Sequence, residues 1–162
     1  MTDIFNASKR SEIMKSVKSS DTKPEMFVRK LLFNSGFRYR LRCSDLPGTP
    51  DIVLKKWKVI IFVNGCFWHH HEGCHKATFP KSRESFWHKK LKRNMERDTE
   101  IAEILKVNGW RILSVWECAC MARCKEDLQL MLEDFIRGNA KEGAIGRDWE
   151  RDGFSIRFEI KM

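Results

Sequence analysis

The sequence predicts an α/β layer fold with a central mixed β-sheet. Three observations lead there. Apolar strand-like runs recur at DIVLKK, KVIIFV and WRILSVW, and the second is continuous enough to be buried on both faces. Long amphipathic helical segments separate or follow these runs, as crossovers between strands of one sheet require. The chain of 162 residues is long enough for one sizeable core and too short for two ordinary domains.

The elements follow in order. Residues 1–20 are polar and basic, with the apolar positions Ile13, Met14 and Val17 isolated, so they read as a mobile arm. Thr22-Lys-Pro-Glu25 matches a capping box with Pro in the first turn. Met26, Phe27, Leu31 and Leu32 then continue at helical spacing until Gly36, which predicts a helix over about 23–35. FRYRLRC alternates like a strand, and DIVLKK and KVIIFV read as strands joined near Trp57. Residues 64–78 form a loop after that central strand. Phe86, Leu91, Met95, Ile101, Ile104 and Leu105 mark a long helix over about 83–107, closed by Asn108-Gly109. WRILSVW is the next strand, KEDLQLMLEDFI a helix over about 125–136, and FSIRFEI an edge strand. The expected order is α-β-β-β-α-β-α-β, with 21–162 as a single domain.

Charge narrows the partner. Lys and Arg number 31 against 22 Asp and Glu, with a pI near 9.4. Such a surface attracts polyanions, so nucleic acid leads over a merely basic protein without one. No apolar stretch is long enough to span a bilayer, and the N-terminus lacks a secretory hydrophobic core, so a cytoplasmic protein is expected. In that reducing compartment the 6 cysteines suit metal binding better than disulfides.

The run NGCFWHHHEGCH at 64–75 concentrates the chemistry. Structural zinc takes four Cys or His ligands, and Cys66, His71 and Cys74 supply three. Cys118 is the natural fourth if WRILSVW lies parallel to KVIIFV, while Cys120, His69, His70 and His75 compete. The alternative is unrelated thiols and solvated histidines. Upstream, LPGTPD sets Asp51 at the start of a strand, where a carboxylate can hold Mg²⁺ against a phosphodiester, or can simply cap a turn. His69 is the best imidazole to deprotonate a water.

With LPGTPDIVL, FVNGCFWHHHEGC, FWHKKLKRNMERD and GWRILSVWEC in hand, the chain from about Arg10 to Cys118 resembles the very short patch repair (Vsr) endonuclease family. The resemblance implies a restriction-endonuclease-like, PD-(D/E)XK-type, three-layer fold with a structural zinc. It implies magnesium-dependent nicking of DNA beside T:G mismatches left by deamination of 5-methylcytosine, and hence a cognate cytosine-5 methyltransferase. Mismatch-repair proteins are further expected partners, and the protein is expected to be a monomer.

Carried over residue by residue, the resemblance makes Asp51 the magnesium ligand, His69 the catalytic histidine and Glu25 a supporting carboxylate. Val63 offers its main-chain carbonyl to magnesium. Cys66, His71, Cys74 and Cys118 fall on the zinc positions, with one extra residue near Glu72-Gly73. Phe67, Trp68 and Trp87 match residues that wedge into the base stack, and Met14 an arm residue inserted from the opposite groove. Without the resemblance Phe67 and Trp68 would read as core, while Trp87 stands evenly between core and DNA contact on a basic helix face, with His88, Lys89, Lys90, Lys92 and Arg93, that can be simply solvated.

Two positions depart from the pattern. Asn64 stands where the family usually shows His or Asp, and Val63 where some members carry Thr. Asn64 can hydrogen-bond but cannot carry charge, so it is read in a supporting role. A catalytically silent, zinc-stabilised mismatch-binding module is the alternative. A catalytic zinc ranks last, because it needs an open coordination position and, in nucleobase deaminases, H-x-E together with P-C-x-x-C, a combination absent here.

Overall fold

The computed structural model describes residues 7–147 and 156–161. Within them, helix α1 (Ala7–Ser16) precedes α2 (Lys23–Asn34), strands β1 (Ile52–Leu54) and β2 (Val59–Asn64), helix α3 (Glu84–Val107), strand β3 (Arg111–Trp116), helix α4 (Lys125–Arg137), and strands β4 (Glu142–Arg147) and β5 (Ile156–Lys161). The five strands form one mixed sheet in the order β1-β2-β3-β4-β5. β2, β3 and β4 run parallel, and β1 and β5 are antiparallel edges.

The period-2 alternation of side chains splits the core between two faces. Ile52, Leu54, Val59, Ile61, Leu113 and Val115 point to the side covered by α2 and α4. Val53, Ile60 and Ile112 point to the other, where Leu105 and Ile101 of α3 meet them. Three layers result. Each parallel step needs a long crossover, which α3 supplies between β2 and β3 and α4 between β3 and β4.

Most predicted elements stand where the sequence puts them, with three differences. FRYRLRC, expected as a strand, is reduced to one isolated bridge between Arg40 and Val53. Phe37, Tyr39 and Cys43 pack instead as single anchors, with Phe37 buried under Trp57, while Leu41 is exposed. Glu142–Arg147 forms a parallel strand that its EGAIGR sequence does not announce. Helix α1 forms within the segment expected to lack a core helix, and Ile13 and Val17 are indeed exposed. Met14 lies on α1, but its side chain falls outside the described residues.

A long-range cap ties β3 to α4. Arg111, the first residue of β3, donates from Nε to Ala140 O at 2.8 Å, from Nη1 to Ile136 O at 3.1 Å, and from Nη2 to Phe135 O. These carbonyls lie at and just beyond the end of α4, where helical partners run out. Arg111→Met should therefore cost about 2–4 kcal/mol in urea unfolding. A loss under about 1 kcal/mol would show that water satisfies this helix end equally well.

Candidate functional site

The parallel register pairs Asn64 with Trp116, so β2 and β3 end at the same edge of the sheet. Beyond that edge lies an open cleft of about 1210 Å³, lined among others by Glu25, Asp51, Val63, Asn64, His69 and Asp98. The structure thus brings together every residue proposed from sequence for the phosphodiester site: Glu25 from α2, Asp51 from just before β1, Val63 and Asn64 from β2, and His69 from the loop after β2.

Asp51 precedes β1, and its Oδ2 accepts the Val63 N–H at 2.8 Å. Burial raises its carboxyl from 3.8 to about 6, against the Val63 hydrogen bond, and the negative charge of Glu25 adds to the rise. Glu25 is buried in the first turn of α2. The Thr22 hydroxyl donates to its Oε1 at 3.0 Å and Asp21 N–H to its Oε2 at 2.9 Å. Two carboxylates in a poorly solvated wall create negative potential suited to a hard cation.

His69 is held by a residue the sequence reading missed. Its Nδ1 pairs with Asp98 Oδ2 of α3, which leaves Nε2 as the outward ring nitrogen. Asp98 belongs to a stripe on α3 that addresses the loop. Trp87 touches Phe67 and Trp68, Lys90 lies over Trp68, and Asn94 Nδ2 donates to Trp68 O at 3.0 Å. The spacing 87, 90, 94, 98 marks one helical face. That spacing was readable in FWHKKLKRNMERD, but a charged residue on a basic helix is ordinarily just solvated.

The second centre sits behind the first. Cys66, His71, Cys74 and Cys118 place one ligand atom each within 4.8 Å of one another, a group that could hold a metal ion. His71 Nδ1 lies 3.7 Å from Cys66 Sγ and 3.4 Å from Cys118 Sγ. Three of the competitors for the fourth place have other partners: His69 pairs with Asp98, Cys120 Sγ approaches Trp116 O, and the His70 ring lies against Phe79. The hydrogen bond between Cys66 and Cys118 holds the Cys118 thiol down and the Cys66 thiol up. Glu117 clasps the loop from the β3 side, accepting Cys66 N–H at 3.3 Å and pairing with Lys76 at 3.1 Å.

Phe67, Trp68 and Trp87 are packed edge-on and tilted against one another, with centroids 5.0–6.1 Å apart. None of the three belongs to the buried core. They form a half-exposed aromatic ridge beside the cleft, crossed by the Lys90 ammonium at 5.3 Å from Trp68 and 5.5 Å from Trp87.

Known proteins share this chain's sequence over most of its length. A family model described as DNA mismatch endonuclease Vsr matches residues 2–76. A type II nicking enzyme of Neisseria meningitidis is 45% identical over 136 residues, 83% of this chain and 96% of its own. A type II nicking enzyme of Xanthomonas oryzae is 45% identical over 118 residues, covering 73% and 86%. The DNA mismatch endonuclease Vsr of Escherichia coli is 38% identical over 148 residues, covering 90% and 94%. The chain belongs to the Vsr family.

In this Vsr family member the unannounced strand β4 has a local purpose. A Cβ on Gly146 would stand 2.7 Å from His71 Cε1, 2.8 Å from Nε2 and 3.2 Å from Trp116. His71 is stacked on Trp116 at 4.3 Å, so the ring has no space to retreat. Gly146→Ala should displace His71 and weaken whatever metal binding the cluster supports, read as metal content after dialysis, although none of its four side chains is changed. Unaltered metal content would show that the ring can shift.

The Asp51 environment also fixes a pH effect. Its folded pKa is raised, so the folded state holds the proton more tightly and stability is lost as pH climbs from about 4 through about 6. In magnesium-free buffer, Asp51→Asn should match the natural protein at pH 4 and exceed it by about 1–3 kcal/mol at pH 7. Equal stability of the two proteins at pH 7 would contradict the buried-carboxylate account.

Proposed function

We propose that Asp51 and the His69–Asp98 pair carry out phosphodiester hydrolysis in this mismatch-directed DNA nicking endonuclease. The observation that carries the proposal is their convergence with Glu25 in one open cleft. Asp51 and the Val63 carbonyl offer hard oxygen donors, and the negative potential they share with Glu25 suits Mg²⁺. A magnesium ion held there would polarise the phosphodiester and stabilise the attacking and leaving oxygens. His69 takes the proton of the attacking water at Nε2, while Asp98 holds the Nδ1 side of the ring and stabilises the imidazolium. The products are a 5′-phosphate and a 3′-hydroxyl. Asn64, at the end of β2, hydrogen-bonds a phosphate or water without carrying charge.

Cys66, His71, Cys74 and Cys118 hold zinc. Zinc–sulfur and zinc–nitrogen bonds of ordinary length predict S···N edges of about 3.5 Å, and both S···N distances given above lie close to that. Four protein ligands close the coordination sphere, so the zinc pins the loop that carries His69 and Trp68 and takes no part in hydrolysis. The fold is of restriction-endonuclease type over 21–162, and 1–20 is the DNA-contacting arm, with Met14 entering one groove.

Phe67, Trp68 and Trp87 enter the base stack from the other groove. Opening a base step costs a few kcal/mol, and a mismatched pair lowers that cost, so the aromatic ridge discriminates damage from intact duplex. The target is a T:G pair left by deamination of 5-methylcytosine, which links the enzyme to a cytosine-5 methyltransferase and to mismatch-repair proteins. It acts as a monomer in the cytoplasm; among the described residues no helix is long and apolar enough to cross a membrane.

A silent binding module would also use the ridge and the zinc, and Asn64 favours it. Incubating the purified protein with T:G and matched duplexes, with magnesium and with EDTA, separates the two. Nicking should be confined to T:G duplex with magnesium; Asp51→Asn should abolish it, and His69→Ala should slow it by roughly 10²–10⁴. Trp68→Ala and Trp87→Ala should weaken T:G binding more than matched binding. If the natural protein fails to nick T:G duplex in any flanking sequence while Asn64→Asp or Asn64→His restores nicking, the binding module is correct.

A further inference from the structure

Arg29 lies on α2 one turn beyond Glu25 and is only 5% exposed. Its Nη2 donates to Glu25 Oε2 at 2.8 Å and its Nη1 to Asp21 Oδ1 at 2.6 Å. Asp21 in turn pairs with Arg42. Both Asp21 and Arg42 have left-handed backbones, φ 53° and 48°, a conformation that ordinary residues adopt only when their surroundings hold them there. The Arg29 Nε is buried with no hydrogen-bond partner among the described residues.

This is an expensive way to seat a helix on a sheet. A buried ion pair stabilises a fold no better than apolar side chains of similar volume, so stability alone gives no reason for Arg29 beside Glu25. Their placement gives one. Both charges reach Asp51, with Glu25 raising and Arg29 lowering its carboxyl. With Arg29 in place, Glu25 has Oε2 shared between a guanidinium and the Asp21 amide and Oε1 held by Thr22, so it neither turns nor adds its full charge to the cleft.

We propose that Arg29 is a positioning residue for the nuclease reaction, locking Glu25 in one orientation and offsetting its charge so that Asp51 presents the uncompensated carboxylate to a divalent cation. Asp21 and Arg42 anchor this arrangement at the junction between the segment bearing α1 and helix α2. The proposal rests on Asp51 holding a cation, as argued above.

Its signature is a split between metal affinity and rate. Removing the guanidinium adds negative potential to the cleft, so a divalent cation is held as tightly or more tightly. Glu25, left with only the Asp21 amide and the Thr22 hydroxyl, then turns toward the cation more readily, and the geometry for attack is lost. A residue that merely supported the fold would weaken both together.

The test measures Mn²⁺ binding to zinc-loaded protein without DNA, by loss of the free-ion paramagnetic resonance signal, and single-turnover nicking of T:G duplex across a magnesium series. Arg29→Met should bind Mn²⁺ at least as tightly as the natural protein and nick about 10–100-fold more slowly at saturating magnesium. Arg29→Lys keeps the charge but reaches one carboxylate at a time, so it should bind Mn²⁺ normally and recover only part of the rate. An Arg29→Met rate within twofold of the natural protein, or one fully restored by extra magnesium, overturns the proposal. Should Arg29→Met fail to fold by circular dichroism, Arg29→Lys decides, and a natural rate for it overturns the positioning role. Asp51→Asn should abolish Mn²⁺ binding; if it binds Mn²⁺ normally, the Asp51 cation site itself is wrong, whatever Arg29 does.

Discussion

The parallel pairing of β2 with β3 is the constraint on which both centres depend. Because the two strands run in the same direction with Asn64 opposite Trp116, the loop 64–78 and the turn at Glu117–Ala119 leave the sheet side by side. Cys118 can then meet Cys66 and Cys74, and Glu117 can clasp the loop through the Cys66 amide and Lys76. An antiparallel pairing would put Cys118 at the opposite end of β2. A parallel pair needs a long crossover, and α3 turns that necessity to use by facing Trp87, Asn94 and Asp98 onto the same loop.

One loop therefore serves three tasks. It donates three of the four side chains of the Cys and His cluster, carries His69 at the cleft, and lifts Phe67 and Trp68 into the aromatic ridge. A stretch with so little regular backbone structure cannot hold side chains to catalytic tolerance by itself. The Cys and His cluster closes it from behind and α3 braces it from the side. The Gly146 clearance shows how tightly this is fitted, since one methyl group on β4 would reach the His71 ring.

The cleft is built against its own electrostatics. Glu25 and Asp51 share a wall where burial alone raises the Asp51 carboxyl, and Arg29 relieves part of that repulsion from behind. Sites of this kind sacrifice stability to keep a charged group ready for a ligand of opposite sign. The rest of the molecule compensates through conventional means: a two-sided core, a buried central strand, and Arg111 capping the end of α4.

Local sequence determined the elements whose signals are short in range. The capping box at Thr22, the apolar run of β2, the long stripe of α3 and the ligand-dense run 64–75 were all legible, because each is set by residues near one another in the chain. The mixed α/β class followed from them, as did the grouping of Cys66, His71 and Cys74, while Cys118 joins them only because β3 pairs parallel with β2. The tertiary structure alone decided three matters. FRYRLRC alternates correctly for a strand but makes one bridge, since the edge it pairs with, β1, is only 3 residues long. EGAIGR lacks any strong strand signal yet becomes β4, because β3 offers an open edge and its glycines fit beneath Phe158 and His71. Asp98 and Arg29 carry no distinguishing local signal, and their meaning depends on His69 and Glu25 as partners. Pairing is a property of space, and the distance along the chain from Asp98 to His69 hides it from any local pattern.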